Sequence, residues 1–159
     1  MTGVSIDIDV SDFKGVFRRL EPFFNFEPTE LMTTLGALGD SQTRRRIAEE
    51  KTAPDGTPWE ANREGTSILM KTGQHLLASC AWTASATEAQ WGAAWEYAHV
   101  HQDGMTIIPK NKSRLAFTVG GVQVFAKEVT VPARPFVGLS ADNISEIIDV
   151  VTDHFGVAQ

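Results

Sequence analysis

The sequence predicts an α+β domain: an antiparallel β-sheet with long hairpins, packed by N-terminal helices and a C-terminal amphipathic helix. Three observations predict it. Apolar residues recur at helical spacing near both ends of the chain. The middle holds segments that read as strands. Gly120-Gly121 stands between two of those segments, a strong two-residue hairpin signal.

Val4, Ile6, Ile8 and Val10 alternate with Ser5, Asp7 and Asp9, which predicts a strand with one buried face. Ser11 and Asp12 suit the cap of the helix that follows. Its apolar residues Phe13, Val16, Phe17, Leu20 and Phe24 fall at i, i+3, i+4, i+7 and i+11. Pro22 lies within that stripe, so the helix is expected to end near Leu20 or to kink there. A second helix is expected from Pro28 to about Ala53, with Leu31, Leu35 and Leu38 as its stripe. Its end carries Arg44, Arg45 and Arg46, then Glu49, Glu50 and Lys51, with opposite signs at i,i+4 spacing. Such a run is either a solvated face of paired charges or a patch that meets a partner or DNA. PDGTPW, Pro54 to Trp59, is a turn signal, and Glu60 to Ser67 reads as a polar loop.

Gln74 to Leu77 reads as a short helical turn. SCAWTAS (Ser79–Ser85) and EAQWGAA (Glu88–Ala94) read as a hairpin across Ala86-Thr87. Trp95 to Gln102 is a short helix or an irregular turn, closed by Asp103-Gly104. Arg114 to Val119 and Val122 to Val131 flank the glycine pair as a second hairpin. From Ser140 to Phe155, the residues Ile144, Ile147, Ile148, Val151 and Phe155 make another helical stripe, with Ser140 as cap and Gly156 as stop. With no repeat, low-complexity tract or linker, 1–159 is expected to be a single domain.

The composition narrows the function. Hydrophobic content of 42% and charged content of 21% fit a globular core. A formal charge of −6 argues against a general nucleic-acid binder, although a local basic patch survives that argument. The single cysteine, Cys80, forbids an intramolecular disulfide and suits a reducing cytoplasm; in the strand SCAW it reads as a small buried hydrophobe. The N-terminus has no basic and apolar leader, and no apolar run is long enough for a membrane span, so a soluble cytosolic product is expected. His99, His101 and Asp103 lack further ligands at a familiar spacing, so no metal site is expected and the histidines read as structural. No phosphate loop, dinucleotide fingerprint, GxSxG or HExxH occurs, so no catalytic residues and no cofactor are assigned. Trp59, Trp82, Trp91 and Trp95 read as core or interface anchors.

One segment stands apart. In TVPARPFVGLSADN, Thr130 to Asn143, Pro132 and Pro135 hold Arg134 on a stiff, extended backbone, and Phe136, Val137 and Leu139 supply apolar anchoring. Arg134 then either ties a strand-to-helix corner to an internal carboxylate or contacts a partner subunit.

The order of landmarks carries more. DGTPW, KTGQHLLAS, WEYAHVHQDG and VPARPFVGLS, followed by an amphipathic helix, resembles the phage virion morphogenesis family, which includes tail-completion proteins of P2-like phages and a Mu-like morphogenesis protein. The matching residues are Gly56 to Trp59, Ile68 to Ser79, then Tyr97, Ala98, His101, Gln102 and Gly104, and last the PARPFxGLS element. The resemblance covers roughly Thr52 to Val151. His75 and Asp103 depart from the commoner residues of the pattern, and the N-terminal third is not diagnostic.

The resemblance implies a non-enzymatic structural protein of the virion at the head–tail junction, made in the host cytoplasm and acting in tail completion and head–tail joining. It implies a homo-oligomeric ring, a hexamer for a tail terminus or a dodecamer for a connector, with phage connector and tail proteins as neighbours. On that reading Arg134, Phe136, Tyr97, His101, Gln102 and Trp59 are candidates for a subunit or partner interface. Lys110, Lys112 and Arg114 lie in a polar loop, either a solvated hairpin tip or a basic tip facing a neighbouring ring or the lumen. DNA would pass that lumen without sequence-specific binding, and the acidic chain suits its sliding. The competing readings are a capsid-assembly or minor head protein, and a small cytosolic binding domain or enzyme unrelated to virions.

Overall fold

The computed structural model describes residues 11–70 and 75–156. The strand expected over Val4–Val10, and Lys71 to Gln74 of the KTGQHLLAS segment, lie outside the described residues. Within them the fold is α+β, with four helices and short antiparallel strand pairs.

Helix α1 spans Ser11–Phe24 and so continues past Pro22, where the sequence pattern predicted an end or a kink. The proline falls in the last turn of a helix that is exposed to solvent at Gly15 to Glu21. Water can therefore satisfy the carbonyl that loses its amide partner. The helical pattern resumes at once, with Asn25 N donating to Glu21 O at 3.1 Å.

Helix α2 spans Pro28–Arg45, with Pro28 at its start and Glu30 in its first turn, where the helix dipole favours a carboxylate. It runs on into a π-helical turn, Arg46–Glu50, which ends at Lys51 in the left-handed region (φ 57°). Leu31 is buried, but the most enclosed part of the helix face is Gly36, Gly39, Gln42 and Thr43. The reason lies in the first hairpin, β1 (Cys80–Ala84) and β2 (Ala89–Ala93), which packs against α2. Trp82 and Trp91 are paired directly across that hairpin. A Cβ on Gly36 would stand 2.7 Å from Trp82 Cε3, and one on Gly39 would collide with the ring of Trp91. Two glycines one turn apart thus make a bare strip on which two indoles lie.

The expected sheet is divided into three separate two-stranded ladders. After helix α3 (Ala98–Asp103), β3 (Met105–Ile107) pairs with β6 (Val129–Val131). Strand β4 (Leu115–Val119) pairs with β5 (Val122–Ala126) across Gly120 and Gly121, both at positive φ as a tight hairpin turn requires. The expected long strand Val122–Val131 is therefore broken at Lys127-Glu128, and its two halves serve different partners. Five-residue strands replace the long hairpins. Helix α4 (Ala141–His154) packs on α2 and carries the expected Ser140 cap: Ser140 Oγ accepts from Asn143 N, and Asn143 Oδ1 accepts from Ser140 N. Gly156 follows it at φ 61°.

The core gathers Ile47, Trp59, Leu76, Cys80, Ala98 and Phe136. Cys80 is buried there as expected, and burial pushes its thiol above the ordinary value. Alanine normally stabilises a helix over glycine by about 1 kcal/mol. Gly39→Ala should instead destabilise the fold by about 1–3 kcal/mol through overpacking against Trp91. Urea unfolding checks the sign, and Trp91→Leu in the same chain should recover much of the loss.

Candidate functional site

The segment 132–140, PARPFVGLS, is irregular yet passes through the interior, with Arg134 and Phe136 buried. Buried backbone outside helix or ladder needs other hydrogen-bond partners for its polar groups. Here they are supplied almost atom by atom. Arg134 N donates to His101 O at 2.7 Å. Trp59 Nε1 donates to Pro135 O at 3.2 Å. Gln102 Oε1 accepts from Phe136 N and Val137 N at 3.0 and 3.1 Å, while its Nε2 donates to Val137 O at 3.1 Å. Arg46 Nη1 donates to Phe136 O at 3.3 Å and Gly138 O at 2.7 Å. Pro132 and Pro135 carry no N–H, so neither adds a donor that needs burying.

Arg46 joins this segment to the helices. It is 1% exposed, and its Nη2 donates to Asn143 Oδ1 inside the cap of α4. Burial lowers the guanidinium's pKa from its ordinary value, and Glu50, 3.5 Å from Nε, opposes that shift. The neighbouring charges are also employed within the chain. Arg44 binds Asp40 and the carbonyls of Leu77 and Cys80. Arg45 bridges Glu50 and Glu146, and Gln42 reaches Glu146 and Asn143 O. The arginine run is thus neither a plain solvated face nor a free basic patch: most of its polar atoms are spent on partners within the chain.

The six interface candidates separate on this geometry. Arg134 turns inward and donates through Nε and Nη2 to Glu60 O, at 3.0 and 2.8 Å. It is an internal tie, and its acceptor is a main-chain carbonyl where a carboxylate was expected. Phe136 and Trp59 belong to the core. Gln102 is the clamp just described. His101 is half-buried and stacks on Trp95, which stacks in turn on His75. Tyr97 stands out in solvent, edge-on to Trp95. Lys110, Lys112 and Arg114 are exposed in the connection between β3 and β4. His99 is exposed and His101 turned inward, and no cluster of three or more metal-ligating side chains occurs among the described residues.

A family model described as the phage virion morphogenesis family matches residues 8–156. The chain belongs to the phage virion morphogenesis family. The match reaches well beyond Thr52–Val151 and takes in the N-terminal third, which the landmark motifs left undiagnosed. Membership in this morphogenesis family ties the protein to the phage particle and its assembly. No curated protein and no solved structure matches the chain. Among the described residues, no helix is long and apolar enough to cross a membrane.

Arg46 and Asn143 escaped the sequence reading as site residues. The available signal was a conflict: three arginines on a helix whose apolar stripe continues at Ile47 cannot all face water. Arg46→Met removes the donors from two main-chain carbonyls and the Asn143 cap, and should cost about 3–5 kcal/mol. Arg46→Lys should recover little, because one ammonium cannot span acceptors on both sides. Arg134→Met, which frees only the Glu60 carbonyl, should cost less, about 1–3 kcal/mol. Thermal unfolding of the three variants checks that order.

His101 gives a pH prediction. Burial, with the nearby Arg134 charge, lowers its pKa from the ordinary 6.5, and its buried Nδ1 finds no hydrogen-bond partner among the described residues. The folded state therefore binds this proton less readily than the unfolded chain. Its contribution to stability is full above 6.5 and is lost as pH falls below that value toward the folded pKa. His101→Phe, which keeps a ring against Trp95, should flatten the loss of urea midpoint between about pH 7 and 5.5. An unchanged slope would assign that acid limb to other groups.

Proposed function

We propose that this protein is a non-enzymatic structural component of the head–tail junction, acting in tail completion and head–tail joining as a closed homo-oligomeric ring. Family membership over 8–156 carries the reading. Its physical support is the braced interior. A ring closes only if each head-to-tail contact repeats at one fixed angle, and an angular error gives an open helix. The clamp formed by Arg46, Gln102 and Trp59 holds α2, α3 and α4 in one frame, so surfaces on different elements keep a fixed relation. A hexamer suits the reading best, with connector and tail proteins as axial neighbours.

Tyr97 is the interface candidate that keeps an exposed ring and hydroxyl for a neighbour. Arg134, Phe136, Gln102 and Trp59 serve an interface by fixing its angle from within. Lys110, Lys112 and Arg114 form a basic tip suited to an acidic neighbouring ring or to DNA sliding in the lumen.

The test is the mass of the purified protein by light scattering, with negative-stain images, and the fate of particles lacking it. Closed rings are expected, together with filled heads and unattached tails when the protein is missing. Normal joined particles formed without it would overturn the reading.

A further inference from the structure

Helix α1 presents Val16, Phe17, Leu20, Phe23 and Phe24 to solvent, with Phe17 65% and Phe24 76% exposed. Isolated surface leucines are ordinary, but a contiguous stripe of this kind on a soluble domain marks a contact. The stripe does not stop at the helix end. Phe23 stacks on Phe155 at 4.7 Å, and Phe26 meets the same ring at 5.1 Å. Phe155 in turn closes the α4 stripe, of which Ile144 and Ile148 are exposed and Ile147 and Val151 half-buried. One apolar surface therefore runs along α1, across Phe155 and up α4.

From this surface we infer that α1 and the outer stripe of α4 dock a second copy of the chain, which, resting on the ring reading above, names the contact that would build the ring. The areas favour another copy. Whole aromatic side chains bury about 150–250 Å² each. The exposed fractions along this surface leave roughly 700 Å² of apolar area uncovered, close to the ~800 Å² each partner gives to a stable interface. A 14-residue helix is marginal alone, and among the described residues α1 has no extensive packing against another element. Another copy is the partner present whenever the protein is made.

The experiment uses the full chain and the double variant Phe17→Glu, Phe24→Glu, with Phe125→Glu as control. Phe125 is equally apolar and exposed but lies on β5, away from this surface. Sedimentation across a concentration series should show wild type and Phe125→Glu assembling alike. The double variant should associate at least about a hundredfold more weakly, as loss of two buried anchors requires, with cooperative thermal unfolding of its core retained. A benzophenone placed at position 24 should join two copies. A wild-type ring that survives the double substitution would overturn this surface and leave the ring standing. A wild-type dimer split by the double variant would keep the surface and remove the ring. A chain that stays monomeric at every concentration would remove both. An adduct confined to one chain would show the stripe covered from within, and would overturn the inference.

Discussion

The structure depends on the guanidinium of Arg46. A charge with 1% exposure persists only where acceptors surround it. An irregular buried segment persists only where donors reach its carbonyls. Each requirement answers the other: Arg46 meets the carbonyls of Phe136 and Gly138, and those carbonyls justify the burial of Arg46. The third bond, to Asn143, passes the constraint to α4, because the same Oδ1 also accepts from Ser140 N in the helix cap. The end of one helix, a stretch without secondary structure and the start of another are therefore fixed by a single side chain. Gln102 completes the arrangement from α3, satisfying both donor and acceptor groups of the Phe136-Val137 backbone. The prolines that made the segment look built for display make it suited to enclosure, since each removes a donor that would need a partner.

Much of the fold is legible in the sequence because it depends on short-range periodicity. The stripes of α1, α2 and α4, the Ser140 cap, the tryptophan hairpin and the glycine-pair turn follow from residues near one another in the chain. What is not legible depends on partners far apart. Strand β3 is three residues long, too short for alternation to register, and its pairing with β6 is settled across the chain. That pairing also divides the expected Val122–Val131 strand. The α2 stripe is displaced toward Gly36 and Gly39 because indoles from the hairpin occupy the bare strip, and a glycine gives no hydrophobic signal of its own. At the site, Trp59, Gln102, Arg134 and Phe136 were legible as residues that matter, while Arg46, Asn143 and the direction each side chain takes were not. The segment around Arg134 stood out correctly as rigid, but whether an arginine faces in or out is decided by which carbonyls are left over, here that of Glu60.

The subunit is unevenly supported. Its centre is tied by side-chain hydrogen bonds to buried backbone, each worth most where leaving it unmade would strand a desolvated group. Its periphery consists of a helix with an exposed apolar stripe and of strand pairs that stand as separate ladders. A lone two-stranded hairpin is marginal in water. The β4–β5 pair nevertheless gains one outside bond, from Gly120 N to Glu64 Oε1 at the turn. Elements that are marginal alone become firm when another surface covers them, so on the proposed ring reading order at the periphery and assembly would be linked by mass action.

If copies of this chain close a ring as proposed, a braced centre and an exposed apolar edge divide the labour of assembly. Contact energy would come from area, which the apolar stripes offer. Contact angle comes from stiffness, and area cannot supply that, because an apolar surface is non-directional. In this chain the stripe on α4 is continuous with the helix whose N-terminus Arg46 holds, while Phe155 at its far end meets α1 through Phe23. The bond network thus sets the direction in which the apolar surface points. Motif residues that never touch a partner would then be as tightly constrained as those that do. Changing Gln102 or Arg46 would alter the angle between surfaces rather than the surfaces themselves.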